Sequence, residues 1–496
     1  MERYNILFGG KAGQGPNIIT NIVGEALIKR GYYAFYAREY QSLIRGGHNY
    51  NVLTFSDEPV YSNDSKIDVI VCLDEETEKL HQKELKNDAV IMKGSSDNMY
   101  YVGRVFRLLC MDFENLETEL KNLKNYDVNV KSAKTGYDEE KKVLCKINPI
   151  KNKLYFGSGS QSIAIGAIDS GLDFYCAYPM TPSTPILGEL AEKQIEKNFI
   201  VLELDSEISV IGTAIGTAMT GAKAMVGTSG GGYDLMTEFV SMTGMAEIPL
   251  VIYLAQRPGP STGLPTYTGQ GDLHLARHSG HGEFQRTVFA PGDPNECQEL
   301  ISQAFYFSQK HKIPSIVLSD KHLAESYYAQ TELPKLIHSE KSTSLIKYNS
   351  YEHDEDGIVT EDADVINKNF ERRMAKQVAI KKEAKKFTQY KIYGDKKSKN
   401  MVVSWGSTKG VILDCIKDMD VQFLQIIYIE PFPEEIEKII NGKNVILIEN
   451  SSTGQMGDLI REKTGILILD KNKILRYDGR PFLADELKTE IKKRLK

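Results

Sequence analysis

Hydroxyls, one carboxylate and one arginine cluster at the ends of apolar runs in this chain. After FYCA comes YPMTPST, residues 178–184. Each proline fixes its own φ and biases the residue before it towards extended backbone, so Thr181 is held between two stiff units and its hydroxyl is aimed. Ser183 or Thr184 can cap the helix that follows, and the same pattern also serves as a plain strand-to-helix stop. After FIVLEL comes Glu207, at the head of ISVIGTAIGTAMTG. A carboxylate there either answers the helix dipole or, buried, hydrogen-bonds a cofactor ring nitrogen. After IPLVIYLA comes QRPGPSTGLPT, where Arg257 suits a bidentate carboxylate clamp or an ordinary surface position, and Thr266 is a second hydroxyl on the same loop.

Two glycine loops could meet anions through backbone amides. TSGGGYD carries Gly230 and Gly231 but lacks the lysine and hydroxyl of a nucleotide P-loop. GGKAGQG, with Gly13 and Gly15, spaces its glycines differently from the dinucleotide fingerprint, yet opens a helix whose start suits a phosphate. His274, His278 and His281 lie close together, but HExxH is absent and no cysteine is near, so ordinary loop or interface histidines are expected. No GxSxG elbow is present.

These residues need a scaffold that brings strand ends together. At 496 residues with 41% hydrophobic residues, about three domains are expected. YNILF, GGKAGQG and PNIITNIVGEALIKRG read as a strand–loop–helix unit with Pro16 in the first turn and Gly31 at the stop. KIDVIVCLD and DAVIMK add strands, giving an α/β domain with its linker over 1–150. From Leu154 the strand candidates DFYCAYP, FIVLEL, KAMVGTS, IPLVIYLA and IPSIVLSD alternate with helical segments, which implies a parallel sheet over 151–335. Residues 336–398, with EHDEDGIVTEDAD and RRMAKQVAIKKEAKKF, read as a charged connector, and a last α/β domain fills 399–496. In such sheets ligands sit at the carboxyl ends of strands. A net charge of −6 gives no basic face for nucleic acid, the amino terminus lacks a secretory pattern, and no apolar window spans a bilayer, so a cytoplasmic protein is expected. Six cysteines without a CxxC pair argue for reduced thiols.

In order along the chain, YPMTPST, LDSE, TSGGGYDLMTE, AQRPGPSTGLPT and GQGDL with HGE resemble the 2-oxoacid:ferredoxin oxidoreductases, most closely α subunits with the γ domain fused in front. GGKAGQG with REYQSLIRGGHNYNV is similar to the γ domain, and NMVVSWGST to a transketolase-like carboxyl-terminal domain. The sequence departs from the family pattern at Lys11, Pro16 and Met180.

The resemblance implies a pyrimidine-type thiamine diphosphate domain at the centre, and oxidative decarboxylation of a 2-oxoacid with coenzyme A and ferredoxin. It implies Thr181, Arg257 and Thr266 at the substrate, Glu207 as the catalytic residue that bonds the aminopyrimidine and promotes its imino tautomer, and Pro179, Gly230, Gly231, Gly13, Gly15 and Arg45 as further cofactor contacts. A diphosphate-anchoring GDG…N segment and cluster-type cysteines are missing. The implied partner is therefore a β subunit carrying the diphosphate site, Mg2+ and a [4Fe-4S] cluster, in a heterodimer or a dimer of heterodimers, with the Gly/Ala-rich helix in the contact. Pyruvate, 2-oxoglutarate and branched-chain acids differ beyond the carboxylate, where walls come partly from the other chain. The competing readings are a non-redox transketolase-like half enzyme and a non-catalytic scaffold for coenzyme A or a partner.

Overall fold

The computed structural model describes residues 3–41, 46–95, 97–121, 123–144, 148–342 and 349–495; Arg45 and Cys145 lie outside the described residues. The chain forms two compact units. The first comprises residues 1–157, 326–333 and 483–488, and the second comprises 158–325, 334–482 and 489–496.

In the first unit, Arg3–Lys11 runs parallel to Ile67–Cys72, which in turn pairs with Leu85–Met92, as the apolar runs predict. The glycine loop then turns into the helix Pro16–Lys29. Gly13 and Gly15 take φ of +89° and +79°, and Gly31 at +85° ends the helix. The pattern reading missed two strands: His48–Ser56 pairs antiparallel with both Arg3–Lys11 and Tyr33–Tyr40. Their signal is masked by buried polar side chains. Asn51 donates to Asn17 Oδ1 and Thr20 Oγ1 at 2.9 and 3.0 Å, and Asn63 donates to Thr54 Oγ1 at 2.7 Å. Satisfied in this way, polar residues sit inside a sheet without the apolar alternation that announces one.

In the second unit the strands order as Tyr428–Glu430, Thr287–Phe289, Pro314–Asp320, Leu250–Gln256, Ala224–Thr228, Phe174–Ala177 and Ile200–Glu203. All are parallel except Tyr428–Glu430. The near-continuous burial of Leu250–Gln256 and Pro314–Asp320 follows from helices covering both faces. A second sheet runs Tyr390–Gly394, Gln422–Ile426, Asn400–Trp405, Asn444–Glu449 and Lys473–Leu475. The two sheets share one apolar core, from Val226 and Ile252 to Trp405 and Leu447. Within 336–398, the helix Ala363–Ala384 is held by Arg372 and Lys376 on Glu247, at 2.6 and 2.5 Å, and by Arg373 on Glu352. Among the described residues, no helix is long and apolar enough to cross a membrane.

Candidate active site

The site gathers at the carboxyl ends of the parallel strands in the second unit. Past Phe174–Ala177, the Thr181–Pro182 peptide is cis. Ser183 turns back, its N–H and Oγ both donating to the Met180 carbonyl at 2.9 and 2.8 Å. The expected side-chain cap at Ser183 is therefore not formed, because that hydroxyl is spent on the turn holding Thr181; the helix Thr184–Lys197 instead starts with proline in its first turn. Pro179 is exposed on the same segment.

Arg257 leaves the end of Leu250–Gln256 and donates from Nη1 to the Thr181 carbonyl at 2.7 Å, so the guanidinium and the proline-braced threonine form one assembly. Burial lowers the arginine's proton affinity, while Asp272 and Glu207 oppose that loss. Its Nε is buried with no partner among the described residues. Thr266 is buried on the loop that folds back through Leu264 N–H to the Pro258 carbonyl at 3.0 Å.

Glu207 is the first residue of the helix Glu207–Met219 and is 5% exposed, with Ser206 supplying the cap to Ser209 N–H at 3.2 Å. Capping thus falls to Ser206, which frees Glu207 for other contacts. Its carboxyl lies on the backbone of the next helix, Gly230–Met245: a Cβ at Gly232 would stand 3.1 Å from Glu207 Oε1 and 2.2 Å from Thr228 Oγ1. A Cβ at Gly230 would stand 2.2 Å from Asp272 Oδ2. The glycines therefore let two carboxyl groups approach one helix start from two sides. Gly231, between them, is exposed.

Asp272 and Ser229 were not singled out from the sequence. Ser229 precedes this helix with its Oγ buried and unpartnered among the described residues, as is Asp272 Oδ2. Asp272 stands in GQGDL as one acid among many, and only the fold sets it against Gly230. Burial pushes its carboxyl up to about 6, Asp234 adds to this, and Arg257 opposes it. His274 and His278 share the short helix Leu273–His278 with ring centroids 6.3 Å apart, and His274 Nε2 lies 3.7 Å from Asp458. Among the described residues, no three His, Cys, Asp or Glu side chains are grouped to hold a metal ion. Gly13 and Gly15 belong to the first unit.

Orphaned buried polar atoms on Ser229, Arg257 and Asp272, with a buried glutamate on a glycine-lined helix start, fit a polar heteroaromatic ring and an anionic substrate. Comparison with known proteins agrees with this chemistry. Residues 165–394 match the family model for pyruvate flavodoxin/ferredoxin oxidoreductase, thiamine diphosphate-binding, and residues 5–97 match that for pyruvate ferredoxin/flavodoxin oxidoreductase. The α subunit of 2-oxoacid:ferredoxin oxidoreductase from a Sulfolobus species is 30% identical, covering 100% of this chain and 97% of its own length. The chain belongs to the 2-oxoacid:ferredoxin oxidoreductase α-subunit family. A 2-oxoglutarate synthase subunit KorA from Methanothermobacter marburgensis is 38% identical to this family member over 34% of the chain and 44% of its own length. The fold is that of a 2-oxoglutarate:ferredoxin oxidoreductase from Magnetococcus marinus, solved with 2-oxoglutarate, coenzyme A and succinyl-CoA bound. The TM-score is 0.89 over 100% of both chains, at 21% identity.

Proposed function

We propose that this chain is the substrate-gripping α subunit of a 2-oxoacid:ferredoxin oxidoreductase that works only with a β subunit. The overall reaction is 2-oxoacid + CoA-SH + two oxidised ferredoxins → acyl-CoA + CO2 + two reduced ferredoxins + H+. The observation that carries this reading is the Arg257 guanidinium bonded to the Thr181 carbonyl, with the buried Glu207 acting on it from the neighbouring helix.

Thiamine diphosphate, when bound, supplies the nucleophilic carbon and electron sink that allow a 2-oxoacid to lose CO2. Glu207 would accept a hydrogen bond from the protonated pyrimidine nitrogen, and Pro179, Gly230 and Gly231 would line the ring. Arg257 would bind the substrate carboxylate while its bond to the Thr181 carbonyl fixes the threonine hydroxyl beside the keto group, with Thr266 completing the grip. Gly13 and Gly15, with Arg45, would serve coenzyme A in the γ-like domain.

Mg2+ and the [4Fe-4S] cluster are assigned to the partner. Among the described residues the cysteines belong to no group of side chains that could hold a metal ion, Cys72, Cys176, Cys297 and Cys415 being buried. Exposed apolar side chains support the partner assignment: Ile200 and Leu202 on the edge strand, Ile208 on the glycine helix and Leu235 on the next are 55, 39, 54 and 56% exposed. The test is co-purification with the β subunit and coenzyme A-dependent reduction of a viologen dye across a panel of 2-oxoacids. Arg257→Ala is expected to raise KM sharply and Glu207→Gln to cut kcat. Dye reduction by this chain alone, or normal kinetics in both variants, overturns the proposal.

A further inference from the structure

We propose that His48, His81 and Glu84 form a proton relay that takes the thiol proton of coenzyme A, with His48 Nδ1 as the general base. The inference rests on the reading that the glycine loop of the first unit serves coenzyme A. The overall reaction frees one proton, which begins as the thiol hydrogen and must leave before the sulfur can form a thioester. His48 Nε2 lies 2.8 Å from His81 Nε2, and His81 Nδ1 lies 2.7 Å from Glu84 Oε2. The carboxylate can only accept, so His81 carries its proton on Nδ1. His81 Nε2 then accepts from the Nε2–H of His48, which leaves His48 Nδ1 as a bare lone pair. That atom is buried and has no hydrogen-bond partner among the described residues. A base oriented by a second ring, itself oriented by a carboxylate, is the arrangement that activates a nucleophile.

His48 opens the strand His48–Ser56 opposite Lys11, so it sits where the glycine loop leaves its strand. Ala12 N–H of that loop donates to the Gly47 carbonyl at 3.1 Å, and a Cβ at Gly9 would stand 3.0 Å from His48 Cε1. Tyr50 packs on both rings, with centroids 5.5 Å from His48 and 4.5 Å from His81. Glu84 N–H donates to the His81 carbonyl at 2.9 Å, closing the turn that brings the carboxylate onto the ring. The side chain of His81 is 5% exposed and that of Glu84 48%, so the relay runs from a buried nitrogen to solvent. The charged groups acting on His48 are His81, Asp74 and Glu84; burial, aided by His81, lowers its proton affinity and keeps it neutral at about pH 7, ready to accept. Asp74 Oδ1 is spent on the N–H groups of Glu76 and Thr77 and on Thr77 Oγ1. In the step itself the S–H bond breaks, its electron pair stays on sulfur as thiolate, and the proton goes to His48 Nδ1. The proton on His48 Nε2 passes to His81 Nε2, and the doubly protonated His81 returns one proton to solvent by way of Glu84.

The test measures kcat/KM for coenzyme A in the complex of this chain with its β subunit, from about pH 6 to 9. In the wild type the value should fall as pH drops through the lowered His48 range and stay level above about pH 7. His48→Ala should cost about 100-fold at pH 7, and the deficit should narrow by about tenfold per pH unit as free thiolate takes over. Glu84→Gln, at a half-exposed position that leaves the fold intact, should cost about tenfold at pH 7, the worth of one charge-assisted hydrogen bond. A purely structural defect would lower the whole profile in parallel. Wild-type kcat/KM at pH 7 in either variant, or a deficit in His48→Ala that does not narrow with pH, overturns the relay. Gly13→Val, strained at a φ of +89°, tests the loop by calorimetric titration with coenzyme A. If it binds coenzyme A as the wild type does, the loop reading is wrong and the relay falls with it. If it binds more weakly while His48→Ala keeps the wild-type profile, the loop stands and the relay alone falls.

Discussion

Gly232→Ala separates the stability of this chain from the geometry of its site. Gly232 lies in the first turn of Gly230–Met245, and its φ is not positive, so alanine favours the helix by about 0.8–1 kcal/mol. The new methyl would stand 2.2 Å from Thr228 Oγ1 and 3.1 Å from the Glu207 Cγ and Oε1 atoms. Thr228 is buried and β-branched, with few rotamers to retreat into, so the helix start or Glu207 must move. Overpacking of this kind costs about 1–3 kcal/mol, leaving a net loss of about 0–2 kcal/mol. Displacing the Glu207 carboxyl by up to about 1 Å costs on the order of 100-fold in kcat, or about 2.7 kcal/mol. Turnover should therefore suffer more than folding. The assay pairs calorimetric melting of the chain with viologen reduction by the complex. Gly188→Ala is the reference, since it sits at an exposed position of the helix Thr184–Lys197 with nothing within 4 Å of the added methyl. An intact complex of Gly232→Ala with kcat within twofold of wild type would refute the claim that this glycine sets the position of Glu207.

Three further outcomes are expected. Gly216→Leu, on an exposed turn of Glu207–Met219 where no atom lies within 4 Å of the new Cβ, should leave the melting of the isolated chain unharmed. It should weaken association with the β subunit at least tenfold in a titration; unchanged affinity would place the partner elsewhere. Lys409 lies buried between Asp293 and Glu296, 2.6 Å from the latter, and its removal as Lys409→Met strands buried charge at a cost of about 3–5 kcal/mol, read by chemical denaturation. Burial alone would raise the Glu296 pKa, but Lys409 and Lys391 outweigh it and hold the carboxyl below its usual range. Its stabilisation is thus full above the ordinary glutamate range and lost as pH falls through the lowered value, a loss that Lys409→Met should reduce. Gly103→Ala, whose methyl would stand 1.9 Å from the Ala133 carbonyl oxygen of the facing helix, should cost about 1–3 kcal/mol in a denaturation curve.

The parallel strands of the second unit were legible because each is a short apolar run flanked by its own turn signals, and because strand–helix alternation admits few topologies. YPMTPST, Glu207 and QRPG could be placed at strand ends for the same reason, since everything that puts them there is local. The antiparallel pair Tyr33–Tyr40 and His48–Ser56 was not legible: its buried Asn51 and Thr54 are satisfied by partners distant in sequence, which no period reveals. The cap at Ser183 was misread because one hydroxyl had two available acceptors and donors, and the turn took it. Sequence by itself thus determined the strand ends and the kinds of group they deliver, since these follow from residue type and nearest neighbours. Tertiary structure alone decided that Arg257 meets the Thr181 carbonyl, that Glu207 and Asp272 flank one glycine helix start, and that Asp272 Oδ2 is shut away from solvent. Such juxtapositions arise from sheet order and close packing, where the decisive distance runs across the chain rather than along it.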